Sequence, residues 1–257
     1  MSASPPLLQV TGLTKRFGSF TAVDDVGFEV AEGSIHSIIG PNGAGKTTLF
    51  RLLTGIHSPT SGQVVFQGEQ IGGKRPYVVA RRGLVQSFQM TSIFPRLTAL
   101  ESVQAAIVAR SGRSADLFTR FQKRVENEAL ELLETVGLAA EGETEAKTLS
   151  HGDQRALDIA LALATKPRLL LLDEPTSGMS PAETQKTTEL VVELARSNGL
   201  TVLFSEHDMD VVFGISEQVT VLHQGRVIAE GTVADVQANP EVMAVYLGDA
   251  ALEEVVA

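Results

Sequence analysis

The chain of 257 residues contains no cysteine and no long hydrophobic run, and its charge is acidic rather than basic. Without cysteine it can form no disulfide framework, no metal–thiolate site and no thiol nucleophile. No apolar stretch approaches the roughly 18 residues that are needed to span a bilayer. The first residues lack the basic and apolar regions of a signal peptide. These absences predict a cytoplasmic protein.

The balance of charge argues against another class of function. The formal net charge is -10 at pH 7 and the pI is near 5.0, whereas broad nucleic-acid binding needs a basic surface. Two local basic clusters are either solvated surface or a docking surface for a partner, namely Lys74, Arg75, Arg81 and Arg82, and Arg120, Lys123 and Arg124. The length allows one large α/β domain with a subdomain.

A glycine-rich segment is a clear motif, and it reads Gly40-Pro41-Asn42-Gly43-Ala44-Gly45-Lys46-Thr47-Thr48. It matches the pattern G-x-x-x-x-G-K-[ST], follows a strand predicted over 34–39, and opens a helix predicted over 45–53. Glycines let backbone N–H groups turn inward around phosphate oxygens. We expect this segment to bind ATP, with Lys46 on the β- and γ-phosphates and the Thr47 hydroxyl on Mg²⁺. A glycine-rich turn that only caps a helix is the alternative, and a chance match occurs in roughly one chain in a hundred.

The apolar run 169–172 ends in two carboxylates, Asp173 and Glu174. An uninterrupted apolar run is typical of a parallel strand that is covered on both faces. Its end therefore lies at the carboxyl edge of a sheet, where such folds bind ligands. We expect Asp173 to coordinate Mg²⁺ and Glu174 to polarise the attacking water. The alternative is that the two acidic residues merely open a loop.

A turn shortly before this strand has the pattern Ser-x-Gly-x-Gln and reads Leu149-Ser150-His151-Gly152-Asp153-Gln154. Ser150 and Asp153 can cap a helix predicted over 154–165. The free N–H groups that need such a cap also form an anion site. Gly152 allows an anion to approach closely.

The phosphate loop, this turn and the Asp-Glu strand end, in this order, resemble the ATP-binding subunit of an ABC transporter from residue 17 to residue 247. The resemblance implies that Ser150, His151, Gly152 and Asp153 bind the γ-phosphate that the opposite subunit holds. It also implies roles for three single residues. His207 contacts the γ-phosphate, Gln89 contacts Mg²⁺ and water and senses the transporter, and Phe17 stacks on adenine. From the residues alone, Ser205-x-x-Asp208 could be a helix cap and Phe17 a core residue at a strand end.

Within ABC proteins the chain is similar to the importer subunits for branched-chain amino acids and to their urea and amide relatives. Four segments carry this narrower resemblance, residues 88–98, 177–181, 206–209 and 239–248. Two residues depart from the wider family. His151 stands where Gly is usual, and Ser180 stands where most members have an Asp that crosses the dimer interface. Ser180-Pro181-x-Glu183 is nevertheless a strong helix start.

The predicted fold is an α/β P-loop ABC-type nucleotide-binding domain with an antiparallel β subdomain and an inserted helical subdomain. Residues 1–92 and 166–235 form the nucleotide-binding core, 93–165 the helical subdomain, and 236–257 a C-terminal helical tail. Antiparallel strands are predicted over 7–17 and 20–30. Further strands are predicted over 34–39, 63–66, 84–88, 169–172, 201–204, 219–223 and 227–229. Thr98-x-x-Glu101 predicts a capping box, Pro181 opens a helix to residue 197, and Asn239-Pro240 opens the last helix.

We therefore expect an ATPase subunit that energises a membrane importer for branched-chain or other small polar amino acids. Its expected partners are a second ATP-binding subunit in a head-to-tail dimer, permease subunits that hold it on the inner face of the cell membrane, and indirectly a solute-binding protein. Nucleic acid is not expected. The alternatives are a subunit for urea, amides or another small solute, an exporter subunit, and a soluble ABC ATPase of translation or DNA repair. A P-loop kinase would lack the turn and the paired Asp-Glu.

Overall fold

The computed structural model describes residues 5–87, 96–111 and 119–245, except for the side chains of residues 119–121 and 198. The described strands form two sheets. Their bounds are β1 Leu8–Phe17, β2 Phe20–Val30, β3 Ile35–Ile39, β4 Ser61–Phe66, β5 Glu69–Gln70, β6 Leu84–Gln86, β7 Leu169–Asp173, β8 Thr201–Ser205, β9 Gln218–His223 and β10 Arg226–Gly231. The described helices are α1 Lys46–Leu53, α2 Pro76–Arg81, α3 Ala99–Ser111, α4 Thr119–Thr135, α5 His151–Leu163, α6 Pro181–Asn198, α7 Met209–Ile215 and α8 Val233–Gln237.

The first sheet is antiparallel and has the order β2-β1-β4-β5. The second has the order β10-β9-β3-β8-β7-β6, in which β3, β6, β7, β8 and β9 run parallel and β10 runs antiparallel at the edge. Because the ends of parallel strands meet at one edge, the segments after β3, β7 and β8 leave the sheet side by side. This edge carries the candidate site.

The parallel sheet is covered on both faces, as the apolar run of β7 predicts. Leu170 and Leu172 face one core, which the helices α3 to α6 complete. Leu169 and Leu171 face the other core, which includes α1 and the antiparallel sheet. All four side chains are fully buried, so the strand is fixed by apolar packing on both sides.

The predicted α/β architecture is confirmed, with its antiparallel sheet and its group of helices between β6 and β7. Two predicted caps are also present. Thr98 N–H donates to Glu101 at 2.9 Å while Glu101 N–H donates to the Thr98 hydroxyl at 3.1 Å. Asn239 accepts from the N–H groups of Glu241 and Val242 at the start of the last helix, which the structure describes over 240–245.

The structure corrects two expectations about local elements and adds several short elements. The helix predicted over 154–165 begins three residues earlier, because Ser150 caps it directly before His151. Ser205 belongs to β8, and the cap of the next helix is Asp208, which accepts from two N–H groups. The short helices α2, α7 and α8 and the two-residue strand β5 were not predicted.

No helix in the described ranges is both long enough and apolar enough to cross a lipid bilayer. This finding agrees with the absence of a long apolar run in the sequence.

One titratable side chain lies inside the sheet. His36 on β3 is buried, its Nε2 is 2.8 Å from the Thr220 hydroxyl, and its ring centroid is 5.9 Å from that of Phe28. Burial lowers the pKa of His36 from 6.5 to about 4, because the charged imidazolium loses its hydration. The native protein therefore binds this proton less readily than the unfolded chain does.

We expect the free energy of unfolding to decrease by about 3 kcal/mol on this account as the pH falls from 6.5 to 4. In that window the unfolded chain is protonated at His36 and the native chain is not. The stability contributed by the buried neutral ring is therefore fully present above pH 6.5 and is lost progressively as the pH falls to 4. Urea unfolding of the native protein and of a His36→Asn variant at several pH values measures the effect. The stability gap between the two proteins should narrow on acidification, and a constant gap would contradict the assignment.

Candidate functional site

The candidate site lies where three neighbouring parallel strands end. The glycine loop follows β3, Asp173 and Glu174 end β7, and His207 follows β8. These strands have the order β3-β8-β7 in the sheet. The structure therefore brings together residues that are up to 167 positions apart in the sequence, between Gly40 and His207.

The glycine loop is wedged between backbone segments that leave no room for side chains. A Cβ on Gly40 would lie 2.1 Å from the carbonyl oxygen of Leu222, and a Cβ on Gly45 would lie 2.5 Å from that of Ala22. Both glycines also have positive φ, 151° and 108°. Only glycine fits these two positions, so the loop keeps a concave backbone surface of the kind that binds phosphate.

The loop leads directly into α1, which begins at Lys46. No side chain caps this helix, whose N-cap is Gly45, so its first N–H groups remain available to an anion. Three residues of the segment are exposed, Asn42, Gly43 and Thr47. Pro41 and Thr48 are half-buried and Ala44 is buried. The Ala44 N–H donates to the Pro41 carbonyl at 3.1 Å, which tightens the loop.

Lys46 is held inside the loop that it belongs to. Its side chain is buried, and Nζ donates to the carbonyl oxygens of Gly40 at 2.5 Å and Pro41 at 3.2 Å. Burial lowers the pKa of Lys46, while the nearby carboxylates of Glu174 and Asp173 act in the opposite direction. The ammonium group is therefore placed between the glycine loop and the end of β7.

The two carboxylates at the end of β7 differ in their surroundings. Asp173 Oδ1 accepts a hydrogen bond from the Ser205 hydroxyl at 2.6 Å, which leaves its other oxygen available to a ligand. Glu174 has a left-handed backbone with φ of 49°. Its N–H donates to the Ser205 carbonyl at 3.0 Å and its own carbonyl accepts from Arg155 Nη2 at 3.2 Å. Both of its peptide groups are thus fixed by other elements.

His207 contacts the Glu174 side chain directly, with 2.5 Å between Nε2 and Oε1. Both side chains are partly exposed. The neighbouring Glu206 is buried instead, and it accepts from the Thr176 N–H at 2.7 Å, the Thr176 hydroxyl at 2.6 Å and the His207 N–H at 3.1 Å. Glu206 therefore ties the segment after β7 to the segment after β8.

Two further single residues were expected to contact the nucleotide or its metal, Phe17 and Gln89. Phe17 ends β1 with 44% of its side chain exposed, so the interpretation of this residue as core is wrong. Its ring is edge-on to His57 at 5.4 Å and lies 5.0 Å from Lys15 Nζ. Gln89 lies outside the described residues.

The turn before α5 forms a capped helix start. The Asp153 N–H donates to the Ser150 hydroxyl at 3.1 Å, and that hydroxyl donates to Asp153 Oδ2 at 2.7 Å. The Glu183 carboxylate of α6 lies against Gly152, since a Cβ on Gly152 would be 2.8 Å from Glu183 Oε1. Hydrogen bonds from the Ser180 hydroxyl, the Ser180 N–H and the Gly152 N–H, in that order, lower the pKa of Glu183, and His151 adds a smaller effect. Within the described part of the chain no hydrogen bond joins this turn to the glycine loop.

Four buried polar residues support the site, although none was predicted to have this role. They are Arg155, Thr176, Ser205 and Glu206. The only signal in the sequence is their position, just after β7, at the end of β8 or early in α5. Buried polar groups need partners, but the pairing depends on the three-dimensional packing and cannot be read from spacing.

Comparison with known proteins identifies the family. A family model described as ABC transporter matches residues 23–177. The chain belongs to the ABC transporter family. A second model, described as branched-chain amino acid ATP-binding cassette transporter, matches residues 226–251.

Individual ABC proteins are similar over nearly the whole chain. The high-affinity branched-chain amino acid transport ATP-binding protein BraF of Pseudomonas aeruginosa is 42% identical over 254 residues, covering 96% of this chain and 100% of BraF. The ADP conformation of MJ1267, an ATP-binding cassette of an ABC transporter, has 30% identity and a TM-score of 0.83 and covers 95% of this chain and 100% of its own. MJ0796 bound to ADP and Pi, a dimer, has 26% identity and a TM-score of 0.76, covering 88% and 98%.

As an ABC ATPase the chain binds nucleotide and hydrolyses ATP. The glycine loop fits this activity. Backbone atoms leave no space for a Cβ at Gly40 or Gly45, and the N–H groups at the start of α1 have no side-chain cap. Within the ranges that the structure describes, no cluster of three or more His, Asp or Glu side chains could hold a metal ion on its own.

We expect Glu206→Gln to lower the free energy of unfolding by about 1–3 kcal/mol and to lower the ATPase rate. The amide would place a donor against either the Thr176 or the His207 N–H group, so the contact between His207 and Glu174 would loosen. Denaturant unfolding and steady-state ATPase assays measure both effects. Glu217→Gln, an exposed glutamate directly before β9, is the matched control. A Glu206→Gln protein as stable and active as this control would show that the buried carboxylate does not organise the site.

Proposed function

We propose that the chain is the ATPase subunit of a membrane importer and works as one half of a head-to-tail pair of ATP-binding subunits. The observation that carries this proposal is the separation of two phosphate-binding features within one chain. The glycine loop and the capped turn at Ser150 have no hydrogen bond to each other in the described structure, so the turn is available to a second subunit. The dimeric MJ0796 structure supports this arrangement.

In this proposal the glycine loop, residues 40–48, binds the phosphates of ATP, and Phe17 stacks on the adenine. The exposure of Phe17, 44%, supports its role, since stacking on a base needs an accessible aromatic side chain. Lys46 moves from the loop carbonyls to the β- and γ-phosphates. This exchange is favourable because a phosphate oxygen is a stronger acceptor for an ammonium group than a neutral carbonyl is.

The proposed metal site is completed by the nucleotide rather than by protein alone. Mg²⁺ prefers oxygen ligands and takes one or two protein groups together with phosphates, which fits the Thr47 hydroxyl and the Asp173 carboxylate. Gln89 is the third proposed ligand. When bound, the ion neutralises charge on the phosphates. The hydrogen bond from Ser205 holds Asp173 in place for this role.

The proposed chemistry depends on Glu174. Its carboxylate orients the attacking water and accepts its proton as the oxygen bonds to the γ-phosphorus and the bond to ADP breaks. His207, at 2.5 Å from Glu174 Oε1, fixes the carboxylate and reaches toward the γ-phosphate. The constrained Glu174 backbone keeps this side chain in position without a cost at the moment of reaction.

The partner subunit supplies the second half of each site through Ser150, His151, Gly152 and Asp153. The helix start offers N–H groups and a positive dipole end to the γ-phosphate. In the free chain the Glu183 carboxylate lies against Gly152, so the phosphate replaces a carboxylate at this position. His151 lies beside this contact and contributes a side chain where the wider family has none.

The proposed setting is the inner face of the cell membrane, where permease subunits hold the ATPase and a solute-binding protein delivers the solute. Branched-chain amino acids are the proposed solutes. The similarity to BraF and the match of residues 226–251 support this choice. The division into a core of residues 1–92 and 166–235, a helical subdomain of 93–165 and a tail of 236–257 is part of the same proposal.

We expect Glu174→Gln to bind ATP normally, to hydrolyse it about 10²- to 10⁴-fold more slowly, and to form an ATP-dependent dimer. The amide keeps the size of the side chain but cannot accept the proton. Nucleotide titration, a phosphate-release assay and light scattering with and without ATP measure the three properties. Near-normal turnover would remove Glu174 from its role.

Lys46→Ala should weaken ATP binding by about 10- to 100-fold, because one charge-assisted contact to phosphate is lost. Titration with a fluorescent ATP analogue measures this loss. Lys123→Ala is the matched control, since it removes an exposed lysine on α4, away from the loop and from Phe17. An ATP affinity unchanged by Lys46→Ala would overturn the assignment of the phosphate loop.

A further inference from the structure

Arg155 on α5 links the helix that follows the Ser150 turn to the backbone of Glu174. Its side chain is buried, Nη2 donates to the Glu174 carbonyl at 3.2 Å, and Nη1 is 4.0 Å from Asp158 Oδ2. Burying a guanidinium group is costly unless it is paired. The contact is also unusual in kind, because a charged side chain here holds the backbone of the residue that is proposed to activate water.

The Glu174 backbone needs such support. A left-handed conformation is unfavourable for a non-glycine residue, and Glu174 has φ of 49°. β8 fixes the peptide before it through the Ser205 carbonyl, at 3.0 Å from Glu174 N. The carbonyl of the peptide after it accepts from Arg155 Nη2 of α5 at 3.2 Å and from the Ser177 N–H of the same loop at 3.2 Å. Without Arg155 this peptide is held only by its own turn, and its position is no longer tied to α5.

We propose that Arg155 is a positioning residue that couples the two ATP sites of the dimer. This proposal rests on the proposed function, in which the N-terminus of α5 contacts ATP held by the partner subunit. Arg155 lies three residues after Gly152 on the same helix, which is about 4.5 Å along the helix axis. One end of this short rigid segment meets the phosphate of one site, and its guanidinium group holds Glu174 of the other.

The geometry gives the coupling a direct path. When the γ-phosphate replaces Glu183 at Gly152, α5 can shift as a rigid body. Because Arg155 moves with α5, its hydrogen bond to the Glu174 carbonyl moves that carbonyl as well. Arg155 Nε is buried and has no hydrogen-bond partner among the described residues. One N–H donor of the guanidinium group is therefore unused. The group can take up a second arrangement against Glu174 or Asp158 in which this N–H group replaces a donor that is lost.

The test compares Arg155→Lys and Arg155→Met with Arg196→Lys, an exposed arginine on the neighbouring α6. ATPase rates are measured against ATP concentration for the full chain. We expect the Met variant to lose kcat by roughly 100-fold, the scale of a 1 Å misplacement, with KM for ATP within about twofold of the native value, because the phosphate loop is untouched. The Lys variant keeps the charge and should recover part of kcat. Cooperativity in ATP should decrease in both, and Arg196→Lys should behave as the native protein.

A second measurement separates this proposal from the proposed function. Each Arg155 variant is combined with Glu174→Gln, and ATP-dependent dimerisation is followed by light scattering. The double variants should still dimerise, since Ser150 and Gly152 are intact. If Glu174→Gln alone does not dimerise, the proposed function fails. If it does dimerise while Arg155→Lys and Arg155→Met keep native kcat and cooperativity, only the coupling role of Arg155 is overturned. Should the Met variant fail to fold, the Lys variant decides.

Discussion

The site depends on a constraint at one residue, the left-handed backbone of Glu174 directly after β7. Apolar packing on both faces fixes β7, and hydrogen bonds from β8 and α5 then fix the peptides on either side of Glu174. The carboxylate is consequently held against His207. A conformation that is unfavourable in itself is maintained because the surrounding elements determine it, as is common at functional sites.

Around this constraint the protein buries an unusual set of polar groups. Lys46, Arg155, Thr176 and Glu206 are all buried near the edge of the parallel sheet. Lys46 bonds to carbonyls of its own loop. Arg155 and Glu206 bond to the segment after β7, so they connect it with α5 and with the segment after β8. Such groups contribute less to stability than apolar packing would. They define instead how the ends of β3, β7 and β8 lie relative to one another.

Much of this arrangement could be predicted from the sequence where the signal is local. The glycine pattern around Lys46 predicts its own conformation, and the apolar run of β7 predicts a strand covered on both faces. Short elements such as α2 and α7 could not be predicted, since helices of this length form only through tertiary contacts. The predicted start of α5 was three residues too late, because residues 151–153 were assigned to the turn although Ser150 caps a helix that begins at His151.

The contacts that bring the site together lay beyond sequence patterns. Nothing in the spacing of Arg155 and Glu174 indicates that a guanidinium group bonds to a carbonyl 19 residues away. The same holds for Glu183, whose role in capping α6 was evident but whose contact with Gly152 was not. These pairings arise from the way that α5 and α6 pack against the sheet edge, which depends on the whole fold.

The central claim is that each ATP site is built from the glycine loop of one subunit and the Ser150 turn of another. The absence of cysteine makes this claim directly measurable, because Asn42→Cys and His151→Cys can be introduced as the only thiols in a Glu174→Gln chain. Both positions are exposed. A short bis-maleimide should link them between subunits in the presence of ATP and not in its absence, giving a covalent dimer. Linkage that does not depend on ATP, or no linkage between subunits at saturating ATP, would contradict the account.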